Sequence, residues 1–397
     1  MAGPLDGIRV LDLTQILSGP FATMLLCDMG AEVIKIEKPK IGDISRGTGP
    51  TVKGLSTYFL SLNRGKKSIT LNLNTKKGVE LLRELTKDAD VLTENFTPGT
   101  MRKLGLDYNE VKKHNPKIIY VSCSGFGQNG PYVQKPAFDI TIQAMGGIMS
   151  ITGEEGGPPI RPGVSYGDIT AGLFLTIATL AAIQERHKSG EGQYVDISML
   201  DCQLTALENA FVRHLNTGEI PHALGTRHPL DAPFQAFETK DSYIALALRG
   251  GVKNQWPLFC AAIDNIHIVD DPRFQNGSLR SQNYKILEPI LTKAMKAKTT
   301  GDWIKELEQI GIPYGPVNNI DQVAHNPQIA ARDMIVNVHH HTAGEVKIVN
   351  NPFKFSRTPA EITRASPELG ENTQEVLSQL LDITNDEIVE LERQGII

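Results

Sequence analysis

Residues 8–36, IRVLDLTQILSGPFATMLLCDMGAEVIKI, decide the fold. Ile8–Leu13 is a buried-strand pattern, Ser18-Gly19-Pro20 a turn, Phe21–Met29 an apolar helical run, and Glu32–Ile36 a second strand. The alternation continues outward. Ser68–Leu73 reads as a strand, Gly78–Ala89 as a helix, Val91–Thr93 as a strand start and Ile118–Ser122 as a further strand. Strands alternating with helices of this length imply an α/β fold, a parallel sheet with helices on its faces. Ligands of open α/β sheets sit at the carboxyl ends of the strands. The segments after Leu13, Ile36, Leu73, Thr93 and Ser122 are therefore where chemistry is expected.

From Asp168 a long apolar helix runs to a stop at Gly190, with charges near its carboxyl end. Tyr194–Ser198 reads as a strand, followed by a helix to about Asn216. The composition then changes. Gly218 to Pro233 is a Pro/Gly/His-rich connector, Gln235–Thr239 and Tyr243–Leu248 read as a hairpin, and helical patterns fill Trp256–Ile263, Asn283–Ala297 and Thr300–Ile310. The expected division is a large domain over 1–217 and 326–397, a small domain over 225–325, and a linker over 218–224. Val336–His339 and Val346–Val349 read as strands and Asp386–Gln394 as a closing helix.

The chain has 397 residues, 40% hydrophobic and 21% charged, with a net charge of −5, which excludes disorder as the main state. That charge leaves no electrostatic footprint for nucleic acid or an anionic membrane. Cys27, Cys123, Cys202 and Cys260 lie far apart without a CxxC pair, so neither a disulfide framework nor a zinc ribbon is indicated. The apolar stretch from Ala171 to Ile183 is shorter than the roughly 20 residues of a bilayer span. The expectation is a cytoplasmic protein without a membrane partner.

No GxGxxG follows the first strand, and there is no HExxH and no GxSxG. Gly65-Lys66-Lys67-Ser68 only mimics a phosphate loop, and His339-His340-His341 on a strand would point to opposite faces. Basic residues cluster near predicted loop ends: Lys35, Lys38 and Lys40; Arg64, Lys66 and Lys67; Arg102 and Lys103. Each cluster reads as a solvated face, or several together as a polyphosphate site with Phe96 stacking on a base. The sharpest feature is the run Gly163 to Gly172, GVSYGDITAG. Asp168 there reads as a helix N-cap, and also as a carboxylate held among glycines where a bulky substrate can approach.

The blocks LDGIRVLDLTQILSGPFATMLLCDMGAEVIKIEKPKIGD, NRGKKSITLNL, ENFTPGTMRKLGL, IIYVSCSGFGQNGPY, KPAFDITIQAMGGIMSITG, Gly167-Asp168, HKSGEGQYVDISML and IPYGPVNNIDQV span nearly the whole chain. Together they resemble the class III CoA-transferases, the family of formyl-CoA transferase and the carnitine CoA-transferases. That resemblance implies a Rossmann-like large domain, a smaller α+β domain inserted late in the chain, and an interlocked homodimer. It implies transfer of CoA from an acyl-CoA to a carboxylic acid, with CoA as substrate and no tightly bound cofactor or metal. Asp168 matches the family's catalytic aspartate, which becomes a mixed anhydride and then an aspartyl-CoA thioester.

The same resemblance places CoA contacts at Ile16, Leu17 and Ser18, and at Lys38, where formyl-CoA transferase has an arginine. It extends them to Asn72, Leu73 and Asn74, to Asn95, Phe96 and Lys103 with adjoining Arg102, and to Lys135, Ala137, Phe138 and Asp139. Phe138 stands where formyl-CoA transferase has a tyrosine. That enzyme's glycine-rich flap is represented only by Gly250 and Gly251. The chain is closest in feel to transferases that pair succinyl-CoA with a dicarboxylic acceptor. Arg161, Arg227, His228 and Arg249 are the cations expected to meet a second carboxylate. Two other functions share the fold: a 2-methylacyl-CoA racemase, and a CoA-binding protein without turnover. The racemase needs a histidine in the segment that here reads Lys135-Pro136-Ala137-Phe138-Asp139-Ile140, and there is none.

Overall fold

The computed structural model describes residues 3–248, 254–362 and 364–397. Six strands form one sheet: β1 (Arg9–Asp12), β2 (Glu32–Glu37), β3 (Lys67–Thr70), β4 (Val91–Glu94), β5 (Ile119–Ser124) and β6 (Tyr194–Ser198). They lie in the order β3-β2-β1-β4-β5-β6 and every pairing is parallel. The chain runs outward from β1 through β2 to β3, then returns to the other side of β1 to build β4, β5 and β6. The reversal of direction leaves a crevice between the carboxyl ends of β1 and β4, where helices depart to opposite sides.

The central strands are apolar on both faces, because helices cover both. Leu11, Ile34, Ile69, Leu92 and Tyr120 point to one face, against Leu81, Leu82 and Leu85 of α2 (Lys76–Leu85). The closing helices, Thr373–Leu381 and Asn385–Arg393, add Val376 and Leu391 there. Val10, Val33, Val91, Ile119 and Val121 point to the other face. There they meet Ala22 and Leu26 of α1 (Ser18–Asp28), Ile142 of α3 (Asp139–Met145), Ala171 and Leu175 of α4 (Tyr166–Ser189), and Met199 of α5 (Met199–Ala206).

The third strand is shorter than its expected span: Leu71–Leu73 leave the sheet after Thr70, and Asn72 N–H bonds Ile396 O (2.7 Å). The short helices Thr57–Leu62 and Asp139–Met145 have no counterpart in the sequence reading. Helix α4 begins two residues before the expected start at Asp168 and ends, as expected, at Gly190. Among the described residues it is one helix long and apolar enough to cross a membrane, and half of its apolar window is buried in the fold.

The chain divides into two compact units, residues 1–148, 161–217 and 327–397, and residues 149–160 and 218–326. The second is a three-stranded antiparallel sheet, Phe234–Glu238, Tyr243–Ala247 and Tyr314–Pro316. Its core is Phe237, Ile244, Leu246, Phe259, Leu287, Leu291 and Trp303.

Candidate active site

The loop after β1 leaves the sheet at the crevice and carries the strained residue Ile16, at φ 70°. A β-branched side chain in that region costs on the order of 1–3 kcal/mol. Buried side chains hold the loop there. Asp12 Oδ1 accepts from Thr14 N–H (2.9 Å), Lys35 Nζ donates to Thr14 O (2.7 Å), and Asp43 Oδ1 accepts from Ile16 N–H (3.2 Å). Asn95, at the end of β4, brackets Gln15 by accepting from its N–H (2.8 Å) and donating to its carbonyl (2.9 Å). Five bonds at about 1 kcal/mol each outweigh the strain, so the conformation is pre-formed.

This network corrects the reading of the basic clusters. Lys35 pairs with Asp43 (2.8 Å), Lys66 with Asp12 (2.9 Å) and Arg64 with Asp28 (2.6 Å), and all six side chains are buried. Lys67 is shared between Glu32 and Glu375. Against the penalty of burial, Lys66 and Lys35 hold the Asp12 carboxyl well below the usual range, while burial pushes Lys66 down to about 8. Each of these four cations is paired with a carboxylate. Burying such pairs is costly unless every proton and lone pair is engaged. Lys66 meets that condition through Asp12, Pro20 O (3.1 Å) and Asn63 Oδ1 (2.8 Å).

Asp168 is the third residue of α4 and not its N-cap. Ser165 occupies the cap and supplies no side-chain hydrogen bond. The capping carboxylate comes from another helix: Asp139, the first residue of α3, accepts from Gly167 N–H through Oδ1 (2.9 Å). Its Oδ2 accepts from Arg161 Nη2 (2.9 Å) and Nε (3.3 Å) and from Gln143 Nε2 (2.8 Å). Ser18, the buried first residue of α1, lies against α4 with its carbonyl beside Gly172. Burial first, and then the negative charge of Asp139, push the Asp168 carboxyl up to about 7 against the pull of Ser18 and Arg161. Gly172, one turn further along α4, lets the two helices close: a Cβ there would meet Ser18 O at 2.7 Å and Phe21 Cδ1 at 2.9 Å.

The structure thus gathers Ser18, Asp139, Arg161 and Asp168 in one cluster, with the Ile16–Leu17 loop and Asn95 beside it at the crevice. Arg161, expected to meet a second carboxylate, spends its charge on Asp139. Other expected positions are elsewhere. Leu73 and Phe96 pack on the sheet core, and Asn72 donates to Gly395 O (3.1 Å). Lys38, Asn74, Lys103, Lys135 and Phe138 are exposed, and Ala137 is half-buried against the Gly125 turn.

Arg102 lines a cavity of about 460 Å³ with Glu94, Tyr108, Tyr120 and Tyr194. In the second unit, the Arg227 guanidinium binds Glu155 and lies 4.6 Å from the Tyr284 ring centroid. His228 stacks on Phe234 (4.8 Å between centroids) and accepts the N–H groups of Leu230 and Asp231 at Nδ1. Arg249, Gly250 and Gly251 lie outside the described residues. His339 is exposed beside Glu345 and His340 is buried, and the described residues hold no cluster suited to a metal.

Sequence reasoning missed Tyr58. It stands in the helix Thr57–Leu62 near the charges of Asp168, Asp139 and Asp43, and burial with those charges raises its phenol.

A crevice at the sheet reversal, floored by a pre-formed loop and a half-buried carboxylate at a helix start, is the ligand site expected of an open α/β sheet. The model of CoA-transferase family III matches residues 5–373, and the chain belongs to that family. It is 37% identical over 395 residues to succinyl-CoA:glutarate CoA-transferase of Homo sapiens, covering 99% of this chain and 90% of that one. It is 40% identical over 355 residues to acetyl-CoA:oxalate CoA-transferase of Acetobacter aceti, covering 89% and 90%. The crystal structure of a CAIB/BAIF family protein from Brucella suis superposes with a TM-score of 0.86 at 37% identity, over 96% of this chain and all of that one.

Proposed function

We propose that this CoA-transferase moves CoA from succinyl-CoA to a dicarboxylic acid through a covalent aspartyl-CoA thioester on Asp168. One observation supports the reading above others: a carboxylate poised near neutrality at the start of α4, beside a loop held in place by the fold. A carboxylate Oδ attacks the thioester carbonyl, the C–S bond breaks, and CoA leaves as thiolate from a mixed anhydride. The thiolate then attacks Asp168 Cγ, the anhydride C–O bond breaks, and succinate leaves. The acceptor carboxylate reverses both steps. No proton need move to a leaving group, so a histidine is not required. That favours transfer over the racemase reading, whose shuttle would fall where Phe138 stands. Among the proposed CoA contacts, Ile16, Leu17 and Asn95 frame the crevice, while Lys38 and Lys103 remain exposed for phosphates.

Mass spectrometry of protein mixed with succinyl-CoA or acetyl-CoA tests the reading. A CoA-sized adduct on the Asp168 peptide, lost on adding hydroxylamine, is the expected result; its absence with both donors would falsify the mechanism. The nucleophile must be ionised, and burial has raised it to about 7. Below that value kcat/KM for acyl-CoA should therefore rise about tenfold per pH unit, and it should level off above it. A profile flat from pH 5.5 to 7 would show that another group limits the reaction.

We also propose a homodimer. Leu173 and Ile177 on the outer side of α4, with Val212 and Leu215 on the helix Asn209–Thr217, are exposed apolar residues in the single chain. A second copy would remove them from water. Light scattering should give twice the chain mass of 43.5 kDa; a monomer at micromolar concentration would contradict it.

A further inference from the structure

Among the described residues the buried carboxylates are Asp12, Asp28, Glu37, Asp43, Glu94 and Asp139. A carboxylate taken out of water is costly unless a cation or several donors meet it. All but one have that cation. Lys66, Arg64, Arg46, Lys35 and Arg161 stand 2.6–2.9 Å from Asp12, Asp28, Glu37, Asp43 and Asp139 in turn. Glu94, at the end of β4, has no lysine, arginine or histidine partner among the described residues. Its Oε2 accepts from the Phe96 N–H (2.8 Å).

Glu94 lines the cavity of about 460 Å³ that lies between the sheet and the segment following β4. Glu94 pairs with Ser122 of β5, and Ser122 with Asp196 of β6, so the three stand in one row on the face that carries Tyr120 and Tyr194. Tyr108, from the helix Tyr108–Lys112, completes an aromatic wall with them. The three ring centroids are 5.7–6.1 Å apart, with interplanar angles of 30–68°. Tyr120 Oη donates to Leu106 O (3.0 Å) and Tyr108 Oη to Gly192 O (3.4 Å), so both phenols direct their polar atom to the backbone. Cations near the cavity are placed elsewhere. Arg102 is exposed with Nε 3.8 Å from Asp107, and Lys112 stands over the Tyr108 ring at 5.6 Å without lining the cavity.

We propose that this cavity is a second ligand site that takes a primary ammonium ion on an apolar stem, with Glu94 receiving the charge and the tyrosine rings receiving the stem. An aromatic face attracts a cation, most strongly where water is excluded. Glu94, with Asp196 in the same row, repels an anion, and a wholly apolar ligand would leave the carboxylate unmet. The cavity shares no residue with the Asp168 cluster, and Asn95, next in sequence to Glu94, turns instead to Gln15 at the crevice. The proposal is therefore independent of the aspartyl-CoA reading.

Burial pushes the Glu94 carboxyl up to about 7; Ser122 and the Phe96 N–H oppose the rise and the charge of Asp196 adds to it. The other charged and titratable groups lining the cavity are Arg102, Asp107, Tyr108, Tyr120 and Tyr194. Ammonium pairs with the ionised carboxylate. Its affinity should fall about tenfold per pH unit below that value and level off above it, up to about pH 9, where the amine begins to lose its own proton.

Isothermal titration of the full-length protein with 2-phenylethylammonium at about pH 8 tests the site, with 2-phenylethanol as the uncharged control. One saturable site is expected, with a Kd of about 1 mM or tighter for the amine and binding at least about tenfold weaker for the alcohol. Glu94→Gln keeps the shape and should weaken the amine about 10- to 100-fold, the effect of losing a charged hydrogen-bond partner, and should remove the pH slope. Tyr194→Leu should weaken it about threefold or more, and Tyr194→Phe, which keeps the ring, should stay within about twofold of wild type. Equal affinity for amine and alcohol would overturn the proposal, as would an amine affinity unchanged in both Glu94→Gln and Tyr194→Leu. Absence of amine binding up to about 10 mM would also overturn it and leave Glu94 a neutral buried acid. If the amine fails to bind and Glu94→Gln loses self-association in light scattering, the cation belongs to a second copy of the chain and the free ligand is overturned. Should Glu94→Gln fold poorly, the two Tyr194 variants and the alcohol control decide the outcome.

Discussion

Replacing Asp168 by asparagine is expected to lower CoA transfer by about 10⁴-fold or more, to the level seen when a covalent nucleophile is removed. Asparagine has nearly the same shape, so the crevice and its loop should persist and CoA should still bind. What disappears is the oxygen nucleophile, and with it the adduct. The same substitution should make the fold more stable. The folded carboxyl titrates near 7, above the range of an exposed aspartate, because burial and Asp139 disfavour its charge. Between about pH 4 and 7 the native chain holds a proton that the unfolded chain has released. Ionisation therefore costs stability progressively across that window and fully above it. Asparagine removes the cost, so at pH 8 the variant should gain about 2 kcal/mol, visible as a higher melting temperature. The gap should close towards pH 5. A variant that is inactive and equally destabilised at every pH would indicate damage to the fold and would remove the argument for a nucleophile.

That carboxylate was readable in the sequence, but its setting was not. Glycines and a long apolar run mark Asp168 as the start of a helix, and local spacing then nominates it as the cap. The true capping carboxylate, Asp139, stands 28 residues upstream of the Gly167 N–H it accepts. No local pattern reports a partner at that distance.

The basic residues show the same limit from the other side. Lys35, Arg64 and Lys66 look like a solvated or phosphate-binding edge because they fall near other basic residues at predicted strand ends. Their partners Asp43, Asp28 and Asp12 belong to other elements of the fold, and only the folded chain brings them within 3 Å. Alternation of strands and helices, by contrast, is local. It gave the parallel α/β sheet and placed ligand chemistry at the carboxyl ends, where the Asn95–Gln15 clamp and the Asp168 cluster stand. The order β3-β2-β1-β4-β5-β6, which sets the crevice at β1 and β4, follows from which strands pair, and periodicity does not encode that. Tyr58 escaped for a related reason: it belongs to a six-residue helix too short to show a period.

Asp139→Ala separates the electrostatic part of this design from the mechanical part. Asp139 does two things at once. Its Oδ1 fixes the first turn of α4 through Gly167 N–H, and its Oδ2 neutralises Arg161 while its charge helps raise Asp168. Removing it frees the guanidinium and deletes a like charge, and both changes favour ionised Asp168. The pH midpoint of kcat/KM should fall by about one unit or more. Removing it also strips a hydrogen bond from the helix start and leaves a partly buried cation unpaired, at a cost of about 2–4 kcal/mol in stability. A nucleophile displaced by about 1 Å loses on the order of 10²-fold in rate. The plateau at high pH should therefore drop by that factor while the midpoint moves to lower pH, so that wild type and variant differ least in the acid limb. A midpoint that stays near 7 with a lower plateau would mean that Asp139 only supports the helix and that burial alone sets the nucleophile. If the midpoint moved with the plateau intact, charge would be its whole contribution. Asp139→Glu distinguishes the terms further, because it keeps the charge and moves the cap: its midpoint should stay near 7 while its plateau falls.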